Sequence, residues 1–244
     1  MGQVVAFVSG KGGTGKTTLS AAVAGFLAKR GRSVLCIDLD VGLRNLDISL
    51  GMRDEATVSF LDVMEGRCPL IAAPAHPLLP GLRVLTAPVT EPDAVDESGF
   101  FSLLEEAKRQ FDWVILDAPA GLGNIFRLSV RRAAKVLVVT QADPACLRDA
   151  QIAGTMSRAL GSGWVRVVIN RVDARLYRRM RTNVDDMMDA VGLSLIGLVP
   201  EHIDVLLASV WGTPLCNAPS CPAAIACRNI ASRLEGEKVP LSLR

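Results

Sequence analysis

The chain of 244 residues lacks a charge imbalance, since 27 Lys and Arg face 25 Asp and Glu for a formal net charge of +2. So close to balance, total charge singles out no class of partner. No uninterrupted apolar segment is long enough to cross a bilayer. The apolar start at residues 4–8 is cut at once by glycines and Lys11, which excludes a signal peptide and reads as a strand. Met1-Gly2 is followed by Ala6 rather than a hydroxyl residue, so the usual myristoylation pattern is incomplete. The cytoplasm is the expected compartment. Six cysteines form no C-x-x-C pair. Cys36 falls in an apolar strand-like run, where burial is expected. Cys216, Cys221 and Cys227 read as incidental, with metal ligation or redox pairing the lesser alternative. There is no internal repeat and no linker. Half the residues are apolar and 21% are charged, which excludes disordered and fibrous classes. The length suits one α/β domain spanning 1–244.

What is present begins with Gly10-Lys11-Gly12-Gly13-Thr14-Gly15-Lys16-Thr17-Thr18. It satisfies G-x-x-x-x-G-K-[ST] and adds a second lysine, Lys11. The strand at 4–8 precedes it and a helix rich in alanine and leucine, expected over 19–29, follows. Glycines let backbone N–H groups turn toward phosphate oxygens, and a helix amino end adds positive potential. Lys16 is expected to reach the β- and γ-phosphates of a nucleoside triphosphate, and Thr17 to hold Mg²⁺ through its hydroxyl.

Further apolar runs at 33–38, 82–86, 113–117, 135–140, 164–170 and 195–199 read as strands, with helical patterns at 100–109, 144–160 and 184–191. Continuous Val/Ile/Leu strands alternating with helices predict an α/β fold, a mostly parallel central sheet flanked by helices. Ligands in such folds bind beyond the carboxyl ends of the strands, where residues 10–18, Asp38 and Asp117 all fall. Residues 68–80, with four prolines, read as an irregular connection, and His76 within it as structural or solvent-exposed.

Asp117 ends the run Val114-Ile115-Leu116-Asp117 and is the expected magnesium-site carboxylate. The segment 118–123 after it reads as a glycine-containing turn placed to sense a γ-phosphate. Asp38 and Asp40 lie two apart, so one can support the metal while the other orients an attacking water; two capping or turn aspartates are the plainer alternative. Lys11 is either an exposed loop residue or a mobile cation that adds charge at the γ-phosphate.

These residues together resemble the deviant Walker A ATPases of the ParA/MinD family, nearest to its MinD-type cell-division members. The resemblance begins at Ser9-Gly10-Lys11-Gly12-Gly13-Thr14-Gly15-Lys16-Thr17-Thr18 and continues in Asp38-Leu39-Asp40-Val41-Gly42-Leu43-Arg44-Asn45-Leu46-Asp47. It extends through Asp117-Ala118-Pro119-Ala120-Gly121, Val199-Pro200-Glu201, Ala208-Ser209, Gly212-Thr213-Pro214-Leu215 and Arg228-Asn229-Ile230-Ala231. It implies an Mg²⁺-dependent ATPase that forms a nucleotide-dependent homodimer and answers to a protein activator or effector. Nucleotide contacts would come from Gly10, Lys11, Gly12, Gly13, Thr14, Gly15, Lys16, Thr17 and Thr18, with Asn170, Pro200 and Glu201 toward adenine. Lys11 would act across the dimer, Asp40 would orient the hydrolytic water, and Thr17, Asp38 and Asp117 would serve the metal. Asn45 and Gly121 would lie in the two switches.

MinD-type members usually finish in a short amphipathic membrane-binding helix. Here residues 235–244 include Pro240 and little apolar surface, which argues against direct membrane attachment and leaves peripheral association at the inner face of the membrane as the family's alternative. Arg166, Arg171, Arg175, Arg178, Arg179 and Arg181 suit either a solvated helix face or an acidic partner, and nonspecific DNA binding in the manner of partitioning ATPases is the principal alternative function. A non-catalytic nucleotide-binding scaffold is another. Asp40 argues against the scaffold.

Overall fold

The structure, a computed structural model, describes residues 1–42, 44–53, 55, 57–88, 95–173 and 183–241. Arg175, Arg178, Arg179 and Arg181 lie outside the described residues, as do Leu43 and residues 242–244. Seven strands form one sheet: β1 (Gln3–Ser9), β2 (Val34–Asp38), β3 (Leu82–Leu85), β4 (Trp113–Ala120), β5 (Lys135–Thr140), β6 (Val165–Val172) and β7 (Leu195–Pro200). Their order is β3-β2-β4-β1-β5-β6-β7, and every named pair is parallel. The expected strands are all present, in the expected α/β arrangement.

Because both faces of the sheet are covered, strand residues are apolar on both sides. Val5 and Phe7 of β1 join the core shared with α1 (Lys16–Lys29), while Val4, Ala6 and Val8 join the opposite one. That second core receives α4 (Glu97–Gln110), α5 (Asn124–Arg131), α6 (Pro144–Ala159) and α7 (Val184–Val191). Each fully buried Leu or Phe in these layers contributes about 1.5–3 kcal/mol. Short helices α2 (Leu46–Ser49) and α3 (Phe60–Met64) follow β2, and α8 (Ile203–Val210) and α9 (Pro222–Leu234) follow β7. α1 is central: its continuous Ala/Leu/Val surface is buried on nearly all sides, between the sheet and α9.

Three expectations change. α1 starts at Lys16, three residues before the expected 19, so Lys16, Thr17 and Thr18 form its first turn. β4 runs on through Ala120, and the turn begins only at Gly121, whose φ is +90° and whose N–H donates to Ser9 O at 3.0 Å. Helix α5 follows from Asn124, in a short amphipathic segment, residues 124–131, where no helix was expected.

His76 is structural. It is buried, its Nε2 lies 2.8 Å from Leu50 O, and its Nδ1 accepts from the Leu78 N–H at 3.0 Å. Burial lowers its pKa, against the hydrogen bond to Leu50 that raises it. The surrounding connection holds one 3-10 turn, Leu70–Ala72. Beyond α9 the described chain is not helical. Arg233 fastens it, donating to Val239 O at 3.0 Å, Pro240 O at 2.7 Å and Ile196 O at 2.7 Å.

Candidate nucleotide site

The sheet's register assembles the site. Phe7 of β1 and Asp38 of β2 both lie level with Asp117 of β4, the strand between them. The glycine loop leaves β1 just past that level, and its backbone lies against Gln141 after β5 and Asn170 of β6. Lys16, in the first turn of α1, donates to Asp117 Oδ1 at 2.9 Å. Both groups are buried, at 6% and 0% exposure, so the pair is held in a low-dielectric setting.

Two loop positions require glycine. Gly13 and Gly15 have φ of +77° and +89°, the left-handed region that glycine enters freely. At Gly15 space closes as well: a Cβ would lie 2.2 Å from Asn170 Nδ2. That amide donates to Thr14 O at 2.7 Å, so Asn170, at the end of β6, ties the loop to the sheet. Gly10 packs on α6, where a Cβ would meet Asp149 O at 2.6 Å. No described side chain caps α1, so its first N–H groups remain free for an anion.

The carboxylates are unequal. Asp38 is almost fully buried and accepts from the Asp40 N–H at 2.9 Å and the Leu46 N–H at 3.2 Å. Burial pushes its pKa up to about 7, helped by the facing Asp117 and opposed by the two backbone donors and Lys16. Asp40 is half-buried. Burial raises its pKa too, and Lys16 opposes the rise.

At the site, the buried oxygens Asp117 Oδ2 and Thr14 Oγ1 have no hydrogen-bond partner among the described residues. Buried polar atoms ordinarily find one, and an unpaired carboxylate oxygen beside a second carboxylate calls for a cation. The all-oxygen set of Thr17, Asp38 and Asp117 suits Mg²⁺. The glycine loop with Lys16 suits a polyphosphate.

Beside the loop lies a cavity of about 580 Å³ lined by Gly15, Thr18, Asn170, Pro200, Glu201 and His202. It brings together the residues expected toward adenine. Lys11, Gly12 and Gly13 are exposed at the loop's tip, as is Asn45 between β2 and α2, and Gly121 is half-buried after β4. Gln141 is a further loop contact, outside the motifs read from the sequence. It follows β5 and donates to Gly13 O at 3.0 Å, and its place at a strand's carboxyl end is the signal that could have found it. Of the six clustered arginines, Arg166 stacks on Trp164 and Arg171 pairs with Glu201 at 3.6 Å. The other four lie outside the described residues.

Residues 5–215 match the family described as the CobQ/CobB/MinD/ParA nucleotide binding domain. The septum site-determining protein MinD of Bacillus subtilis is 34% identical over 253 residues, covering 100% of this chain and 92% of the relative. The MinC:MinD cell division protein complex of Aquifex aeolicus contains a chain 33% identical, with a TM-score of 0.92 and 98% of each chain covered. MinD of Pyrococcus horikoshii, solved with Mg-ADP, is 25% identical, with a TM-score of 0.85 over 96% of each chain. The chain thus belongs to the MinD/ParA family of deviant Walker A P-loop ATPases, which bind ATP with Mg²⁺ and hydrolyse it.

Proposed function

We propose that this chain is an ATP-driven switch of the MinD type, built on one domain over 1–244. It dimerises with Mg²⁺-ATP, recruits a protein partner in that state, and resets by hydrolysis. The observation that carries the reading is the register that sets Asp38 against Asp117 while Lys16 reaches Asp117 from the glycine loop.

Lys16 is poised between two partners. Its ammonium offsets Asp117 in the ligand-free chain, and the same flexible stem reaches the β- and γ-phosphates when ATP occupies the loop. Thr17, Asp38 and Asp117 hold the magnesium region. The metal supplies charge compensation on the phosphate oxygens. Asp38, whose proton is held up to about pH 7 in the ligand-free site, ionises there as positive charge arrives.

Asp40 orients the attacking water. Its N–H is bonded to Asp38, so its carboxylate hangs from the same turn without sharing its burial. Water attacks the γ-phosphorus, the bond to the β-phosphate oxygen breaks, and ADP and phosphate leave. Lys11, exposed at the loop tip, is free to reach phosphates bound by a second copy. Facing lysines of this kind make ATP bind the dimer more tightly than the monomer, as a population shift requires. Asn45 and Gly121, in the segments leaving Asp38 and Asp117, report phosphate occupancy, and Asn170, Pro200 and Glu201 border the base.

Partner recruitment in division-site placement rests on likeness to the Aquifex aeolicus chain solved with MinC. Among the described residues no helix is long and apolar enough to cross a membrane. We place the protein in the cytoplasm, with attachment to the membrane's inner face limited to peripheral contact.

Phosphate release from Mg²⁺-ATP by the wild type and by Asp40→Ala tests this function. The variant should lose roughly 10²-fold or more of its turnover, the scale on which a positioned acid–base group acts, while still binding ATP. Wild-type turnover in Asp40→Ala would contradict the assignment.

A further inference from the structure

We propose that His202, Asp204 and Cys221 form a site for a divalent cation of the zinc class at the rim of the nucleotide cavity. By sequence alone Cys221 reads as incidental, with metal ligation the lesser alternative. The fold brings it to the residues that open α8.

His202 and Cys221 are the residues immediately before α8 and α9, and Asp204 lies in the first turn of α8. Their ligand atoms all fall within 4.8 Å of one another. His202 Nδ1 lies 3.4 Å from Asp204 Oδ2 and 3.7 Å from Cys221 Sγ. Tetrahedral zinc bound to nitrogen and oxygen at ~2.0–2.2 Å and to sulfur at ~2.3 Å needs ligand separations of roughly 3.3–3.6 Å. The side chains therefore stand close to metal-binding spacing before any metal arrives.

The donor types select the ion. One imidazole nitrogen, one thiolate and one carboxylate suit Zn²⁺ and its borderline analogues, whereas Mg²⁺ and Ca²⁺ prefer oxygen throughout. Cys221 is buried at 1% exposure, while His202 and Asp204 are about one-third exposed, which leaves a fourth position open toward solvent for water. Binding displaces the thiol proton to water as the metal–sulfur bond forms. The competing role is visible: His202 Nδ1 accepts from the Asp204 N–H as a helix cap, at a long 3.3 Å. A metal takes that lone pair in its place.

The consequence is local order. The metal would clamp the start of α8 to the start of α9, across 19 residues of chain. His202 and Ile203 also line the cavity assigned to the base, so the clamp would set one wall of that pocket.

Cobalt(II) is the probe, because thiolate ligation gives it a charge-transfer absorption that oxygen ligation does not. The protein is titrated without nucleotide and with excess Mg²⁺, so the result does not depend on the ATPase reading. The wild type should develop the thiolate band at one equivalent and lose it when Zn²⁺ displaces the cobalt. Cys221→Ser should abolish the band, with circular dichroism confirming its fold. Asp204→Asn, at a partly exposed position, should keep the band but bind more weakly by at least the roughly 10–100-fold loss seen when an outer-shell partner is removed. No band in the wild type, a band that survives Cys221→Ser, or unchanged affinity in Asp204→Asn would each overturn the proposal.

Discussion

Asp38→Asn removes a buried charge while keeping the side chain's shape, and its effect on stability should depend on pH. In the ligand-free fold the pKa of Asp38 stands near 7 against an ordinary 3.8, chiefly through burial and then through Asp117. A folded-state pKa above the unfolded value means the native site prefers the protonated form. The fold carries none of this cost below about pH 4, and the cost grows as pH rises toward 7 and is complete above it. With those two pKa values, linkage gives a penalty of roughly 2 kcal/mol at about pH 5 and roughly 4 kcal/mol at about pH 8. Asparagine has no such titration. Its lost acceptor toward the Leu46 N–H costs about 1–3 kcal/mol, but that term does not change with pH. The stability of Asp38→Asn relative to wild type should therefore improve by roughly 2–3 kcal/mol from about pH 5 to about pH 8. Urea denaturation without Mg²⁺ or nucleotide, at several pH values, measures it. A difference constant with pH would refute the claim that Asp38 is a strained carboxylate. In the same variant Mg²⁺-dependent ATP binding should weaken if, as proposed, Asp38 serves the metal region.

Lys16→Ala should nearly abolish ATP binding and also destabilise the ligand-free fold, since Asp117 is left buried without its partner; breaking such a pair costs about 3–5 kcal/mol. Tight ATP binding by this variant would sink the assignment. Gly15→Ala forces alanine to φ +89° and sets its Cβ against Asn170, so it should lose more than the ~1–2 kcal/mol of a left-handed alanine. Denaturation midpoints of wild type and variant check this. Lys11→Ala touches an exposed position and should leave stability within about 0.5 kcal/mol of wild type. By equilibrium binding it should retain nucleotide yet dimerise poorly, and a normal ATP dimer would remove the trans-acting role.

The strands were legible because a sheet covered on both faces leaves continuous apolar runs, as in Val114-Ile115-Leu116 and Val167-Val168-Ile169. Helix α8 was not. It exposes Ile203, Leu206 and Val210, and so lacks the one-sided pattern that betrays a packed helix. The true start of α1 was hidden for another reason: Lys16, Thr17 and Thr18 are polar, so apolar periodicity begins only at Leu19. Residues 10–18, Asp38 and Asp117 could be read as site residues because each ends or follows a strand. Their partnerships could not. Lys16 and Asp117 are 101 residues apart, and Asn170 and Thr14 are 156 apart. Such contacts depend on strand order and register, which no local pattern encodes.

The central claim is a dimer that exists only with ATP. Light scattering after size-exclusion chromatography of Asp40→Ala, first with Mg²⁺-ATP and then with Mg²⁺-ADP, tests it most directly, because the variant should hold ATP without consuming it. A dimer with ATP and a monomer with ADP is the predicted result. A monomer in both states, with ATP shown to be bound, would contradict the switch and the role of Lys11 together.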